Sequence, residues 1–249
     1  MNRAAPIFAG LLIIAFPLSL LAGRVWVDPS STPNAALILM ELRLPRSILA
    51  MVIGAGLGAA GAAMQGYLRN PLADPGLFGI APMAALGAVI SFWFGYSASA
   101  YLLPSFALLG AGAGMAMLAL IAGRTSAGTG GGIALFTLAG LMIASLAGAL
   151  TALAITLSPN AFALSEIVLW LNGALTDRSW REVMIAVPCV AAGLLLLTLA
   201  SKPLDAMTLG QEAAQSLGVR PAALLWLLVG GVGLTVGASV AVAGGSGFV

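Results

Sequence analysis

From Pro75 to Gly123 the chain runs without a single Asp, Glu, Lys or Arg. About 20 mainly apolar residues carry a helix across the hydrocarbon of a bilayer, so this run alone is long enough for two crossings. Within lipid there is no water to pair a backbone N–H or C=O, and apolar runs of this length close their hydrogen bonds as helices. The run breaks at Gly95-Tyr96-Ser97 and at Pro104, which predicts spans over 78–95 and 102–122. Elsewhere the gaps between charges place spans at 4–23, 47–68, 133–157, 183–201 and 222–243. A Gly-rich connector, Ser126 to Gly132, precedes the fifth span, Ser158-Pro159-Asn160 ends it, and Lys202-Pro203 closes the sixth. The expected fold is an all-α membrane protein, a multi-pass helical bundle of seven spans forming one domain over residues 1–249.

Composition narrows the function. The chain is 61% hydrophobic and 7% charged, whereas a soluble domain is about a quarter charged. A water-soluble enzyme and a disordered chain are both excluded. A net charge of +2, scattered along the chain, gives no footprint for nucleic acid. With no His and one Cys, no Ser-His-Asp triad, Cys-His pair, His-ligated metal or internal disulfide can form. Cys189 lies in an apolar run and reads as a packing residue. No catalytic group, metal site or cofactor is expected in the chain, and it is not expected to be an enzyme. It is a membrane protein that holds, moves or admits something.

Arg3 and the apolar run behind it resemble a secretory leader, but Leu20-Leu21-Ala22 puts a bulky residue where a cleavage site needs a small one. An uncleaved first span is expected. Basic residues divide evenly: Arg3, Arg69, Arg124, Lys202 and Arg220 fall on one side, and Arg24, Arg43, Arg46, Arg178 and Arg181 on the other. The positive-inside rule therefore does not orient the chain. No charged residue falls in the middle of a span, which argues against a proton-coupled carrier.

Small residues fall on helical stripes. Gly54, Gly58, Gly61 and Gln65 share one face, as do Thr137, Gly140, Ala144, Gly148 and Thr151; Gly110 with Gly114 and Gly233 with Gly237 are shorter pairs. Such stripes serve close helix packing or a smooth wall along a pathway. The 137–151 stripe, with two hydroxyls, is the better pathway candidate. Three loops carry a pattern. In Glu41-Leu42-Arg43-Leu44-Pro45-Arg46 the proline interrupts the two arginines, so both are expected to face out, either snorkelling to the membrane surface or docking carboxylates of a partner. Arg69-Asn70-Pro71-Leu72-Ala73-Asp74-Pro75-Gly76 reads as a rigid, non-helical connector. Gln211 to Leu217 reads as a short helix bounded by Gly210 and Gly218. Ala213, Ala214 and Leu217 are expected to share a face, which rests on the interface or fits a partner's groove.

These loops together resemble the FecCD family of ABC importer permeases, which carry ferric siderophores, haem or cobalamin. The resemblance rests on Leu42 to Arg46, Gly61-Ala62-Ala63-Met64-Gln65, Arg69 to Gly76, Leu138-Ala139-Gly140, Trp170-Leu171-Asn172-Gly173, Gly210 to Gly218 and Gly244 to Val249. The last string departs from the family's Gly-Pro-Ile-Gly-Phe-Val at Ser246 and lacks its Pro. The resemblance implies a ten-helix subunit of which about seven spans are present, the family's last three helices lying beyond Val249. It implies a bacterial inner-membrane protein with a cytoplasmic N-terminus, paired with a second permease copy and driven by two cytoplasmic ATPase subunits that hold ATP and Mg. An extracytoplasmic binding protein feeds it. Arg43 and Arg46 would dock that protein. Gly210, Glu212, Ala213, Ala214, Leu217 and Gly218 would form the coupling helix, with Glu212, Ala214 and Leu217 touching the ATPase. Arg69, Asn70, Pro71, Leu72, Asp74, Pro75 and Gly76 would be a cytoplasmic loop, and Trp170 to Leu175 a short outer helix. Ferric siderophore is the first substrate expected, its carriers being numerous. The alternative is a passive channel, which has no use for a coupling helix.

Overall fold

The computed structural model describes residues 4–23, 26–28, 32, 34–96, 99, 101–125, 132–176 and 178–245, with Ala4, Leu77, 122–125, 132 and 133 described as backbone only. Arg3, Arg24, most of the 126–132 connector and Ser246 to Val249 lie outside the described residues. The helices are α1 (Ala4–Leu21), α2 (Ala35–Leu37), α3 (Leu44–Leu68), α4 (Ile80–Trp93), α5 (Leu102–Thr125), α6 (Gly132–Thr156), α7 (Ala161–Leu171), α8 (Trp180–Met207), α9 (Gln211–Ser216) and α10 (Pro221–Ala243). A π turn, Ile38–Arg43, joins α2 to α3 without a break, and a 3-10 turn, Pro75–Phe78, precedes α4.

All seven expected spans are helical. Five described stretches are long and apolar enough to cross a membrane on their own: Ala35–Leu68, Leu102–Ile121, Ala134–Thr156, Trp180–Met207 and Pro221–Ala243. α1 and α4 are shorter. The third span starts at Ile80 rather than 78 because Gly79 adopts φ 79° and separates it from the 3-10 turn. The second begins well before residue 47. Pro45 sits in the first turn of α3 behind the π turn, where a missing N–H is tolerated. The π turn also leaves the Met40 carbonyl open to the Trp180 indole N–H, 3.0 Å away. The sixth span runs on through Pro203 to Met207, since one proline removes one hydrogen bond and the helix resumes beyond it. Asn160, expected only to end a helix, also starts one: its Oδ1 accepts from Ala163 N at 2.8 Å and caps α7, which the spans did not include.

α10 is the centre. Of its most apolar stretch 78% is buried, against 22% for α6. Small residues let its neighbours close in. Gly193 of α8 lies against Thr235 and Gly231, Gly237 faces Ala111 of α5, and Gly56 of α3 faces Thr235. α4 and α5 cross still more tightly: a methyl on Gly87 would run into the Phe106 carbonyl, and one on Gly110 into that of Met83. The Gly110/Gly114 and Gly233/Gly237 pairs thus serve packing. Gly54 and Gly58 have nothing within 4 Å of where a Cβ would stand. Buried hydroxyls are satisfied within α10, Thr235 Oγ1 donating to Gly231 O at 2.9 Å and Ser239 Oγ to Thr235 O at 2.7 Å.

Candidate functional site

The bundle has two ends, and the candidate residues divide between them. The 25 residues of α3 rise about 37 Å at ~1.5 Å per residue, with Arg46 at one end and Arg69 at the other. α8 runs parallel to α3: its start meets the π turn through Trp180 and Met40, and its end meets Arg69 through the Met207 carbonyl. α10 returns antiparallel, its Ala243 carbonyl accepting from Ala174 N at 2.7 Å beyond α7.

At the Arg46 end a cleft of about 1080 Å³ opens between α1 and α3, with Arg43, Arg46 and Arg178 among its lining. The two sequence-predicted arginines differ. Arg46 is exposed. Arg43 is half-buried, and its Nη1 donates to the carbonyls of Leu20 at 2.9 Å and Leu21 at 2.6 Å. It caps the C-terminus of α1, where unpaired carbonyls gather negative partial charge. Pro45 makes no turn between them; it is buried in continuous helix. Both arginines facing outward was therefore the wrong expectation for Arg43. Arg178 is the residue missed here, its only sequence signal being the basic count on this side. Arg181 stacks its guanidinium over the Tyr101 ring at 5.3 Å.

At the Arg69 end the 69–76 loop is built from its own side chains. Arg69 turns the chain at φ 50°. Asn70 Oδ1 accepts from Leu72 N at 2.9 Å, and Asp74 Oδ1 from Gly76 N at 2.6 Å, which caps the 3-10 turn. The segment is thus non-helical only as far as Asp74. Pro71 and Leu72 point outward, and Leu72 is 85% exposed. Phe78 and Tyr67 hold the loop to α6 through Phe136, at ring centroid distances of 5.1 and 5.5 Å. Beneath it lies a cleft of about 420 Å³ lined by Gly58, Gly61, Gln65, Asp74, Gly76 and Ser239 among others. The open glycine face of α3 borders this cleft.

Beside the loop sits α9, between Gly210 at φ 107° and Gly218 at φ 88°. Glu212 and Ala213 are exposed, and Leu217 is 67% exposed. Ala214 is 0% exposed and belongs to the same core as Met207 and Leu224. It faces the bundle, not the face expected for it, because a six-residue helix capping a corner must bury one small side chain to be held there. Trp170 to Leu175 forms no helix of its own: Trp170 and Leu171 end α7, Gly173 turns the chain at φ 69°, and Ala174 and Leu175 follow outside helix. On the 137–151 stripe Gly140 is buried, Thr137, Ala144 and Thr151 are half-buried and Gly148 is exposed. Gly79 presses on Ile143 and the Ala144 backbone. Among the described residues no cluster of carboxylate and thiol groups could hold a metal ion.

Residues 11–249 match the model of the FecCD transport family. The chain belongs to the FecCD transport family. It is an ABC importer permease, and it resembles other members over nearly its whole length. The vitamin B12 import system permease protein BtuC of Escherichia coli O17:K52:H18 is 34% identical across 96% of this chain and 72% of that protein. The uncharacterized ABC transporter permease protein YvrB of Bacillus subtilis strain 168 is 34% identical across 88% of this chain and 62% of its own length. A solved metal-chelate type ABC transporter in an inward-facing conformation superposes with a TM-score of 0.84 at 29% identity, covering 95% of this chain and 74% of its own. The FecCD chain is thus a membrane-spanning transport subunit.

Proposed function

We propose that this chain is the membrane-spanning subunit of an ATP-driven importer that moves a metal chelate (cobalamin, haem or a ferric siderophore) across a bacterial inner membrane. It pairs with a second permease copy. Two ATPase subunits, which hold ATP and Mg, dock at the Arg69 end on the cytoplasmic side with the N-terminus. A binding protein delivers the chelate at the Arg46 end. The observation that carries this reading is α9: a six-residue helix seated by buried Ala214 and presenting Glu212, Ala213 and Leu217 outward. A passive channel has no use for it.

The similarity to a vitamin B12 permease puts cobalamin first among the substrates to try. The test is reconstitution in proteoliposomes with the ATPase and with binding proteins loaded with cobalamin, haem or a ferric siderophore. One loaded protein is expected to stimulate ATP hydrolysis and drive uptake. Equal uptake without the ATPase would establish a passive channel instead.

A further inference from the structure

The Met207 carbonyl, at the end of α8, accepts two hydrogen bonds. One comes from Gly210 N at 3.1 Å, which closes the corner into α9. The other comes from the guanidinium of Arg69, which belongs to the loop 138 positions earlier in the chain. A carbonyl at a helix C-terminus is a strong acceptor for a cation, and the left-handed turn at Arg69 throws its side chain off α3 toward α8. The Gly210 N bond and the burial of Ala214 in the same core as Met207 tie α9 to its anchor carbonyl. On the other side, two Asx turns and Pro71 and Pro75 stiffen the loop, so that a displacement at Arg69 reaches Asp74 and Gly76 at the edge of the 420 Å³ cleft. The cleft gives the loop somewhere to go.

We infer that Arg69 is a positioning residue that carries displacement of α9 into the 69–76 loop, and so links ATPase motion to the interior cleft. The inference rests on the reading of α9 as the ATPase dock, and its experiment separates the two. The Arg69→Gln and Arg69→Lys permeases are reconstituted with the ATPase and cobalamin-loaded binding protein, with a nitroxide on Leu72→Cys in a Cys189→Ser background. In the Arg69 protein, ATP is expected to change the nitroxide spectrum. In Arg69→Gln the ATPase should still co-purify, while the ATP-dependent spectral change disappears and stimulated hydrolysis falls about tenfold, within the range of ordinary coupling energies. Arg69→Lys, which keeps a cationic donor, should recover part of both.

Retained spectral change and stimulation in Arg69→Gln would overturn the relay. So would a Leu72 spectrum already altered without ATP but with stimulation intact, the sign of a purely structural role. Failure of the ATPase to co-purify with the unaltered permease would instead remove the dock, and with it the proposed function. If Arg69→Gln fails to insert, Arg69→Lys decides alone: lowered coupling with intact docking upholds the relay, and unchanged coupling ends it.

Discussion

Arg43 and Arg46 are three residues apart, and the structure gives them different surroundings, so mutating each alone is expected to have opposite consequences. Arg43 holds the end of α1 through two charge-assisted hydrogen bonds of 2.9 and 2.6 Å. Each such bond contributes roughly 1.5–3 kcal/mol. The two share one nitrogen and do not add fully, so Arg43→Gln is expected to cost the anchor about 3 kcal/mol. That is about a hundredfold in the released fraction of α1. Hydrogen exchange at Leu20 to Ala22, in nanodiscs, should accelerate by about that factor, while binding-protein affinity stays within about threefold. Arg46→Glu should do the reverse. If the proposed binding protein docks there through carboxylates, the change sets like charge against them and is expected to slow association by more than about tenfold, an effect that shrinks at high salt as screening weakens the native attraction. Binding kinetics at two salt concentrations separate the cases. The reasoning is refuted if Arg43→Gln weakens association as much as Arg46→Glu does while exchange at the end of α1 is unchanged.

Gly110→Val should destabilise the bundle by more than the ~1–3 kcal/mol of ordinary overpacking, because the added methyl meets the Met83 backbone; thermal unfolding in detergent reads this. Ala214→Leu should lift α9 from its seat and abolish ATPase co-purification while leaving insertion intact; unchanged co-purification would mean that α9 is not held by that contact. Ser179→Ala removes the N-cap of α8, whose Oγ accepts from Arg181 N at 3.3 Å and which forms a capping box with Glu182. It should cost about 1 kcal/mol, seen as a lowered unfolding midpoint with transport retained.

Hydropathy alone makes the seven spans legible, though not α7, because a bilayer leaves the backbone few alternatives. It does not fix their ends. Pro45 and Pro203 both read as breaks, yet each lies inside helix, since a proline costs one hydrogen bond and its neighbours supply the rest. Glycine spacing identified close contacts at Gly110, Gly114, Gly233 and Gly237 but not at Gly54 and Gly58, whose stripe borders a cleft. Periodicity marks a face without saying what stands opposite it. The same limit explains Ala214: sequence gave it a helix, and only the corner between α8 and α10 decides which way it points. Arg43 was legible as a cation at a membrane surface, but its true partners, two carbonyls of α1, lie more than twenty positions away and carry no side-chain signature.

The buried position of α10 bears on how the protein is made. In chain order it is the last of the described helices, yet it packs against α3, α4, α5 and α8. At ordinary elongation rates roughly ten seconds separate completion of α5 from completion of α10. Through that interval the earlier helices sit in the membrane with Ala111, Gly193 and Gly56 facing lipid or the insertion machinery instead of their eventual neighbour. Until α10 arrives the chain is open to membrane quality-control proteases, and slowed translation between α6 and α10 should lower yield even where the finished protein is equally stable.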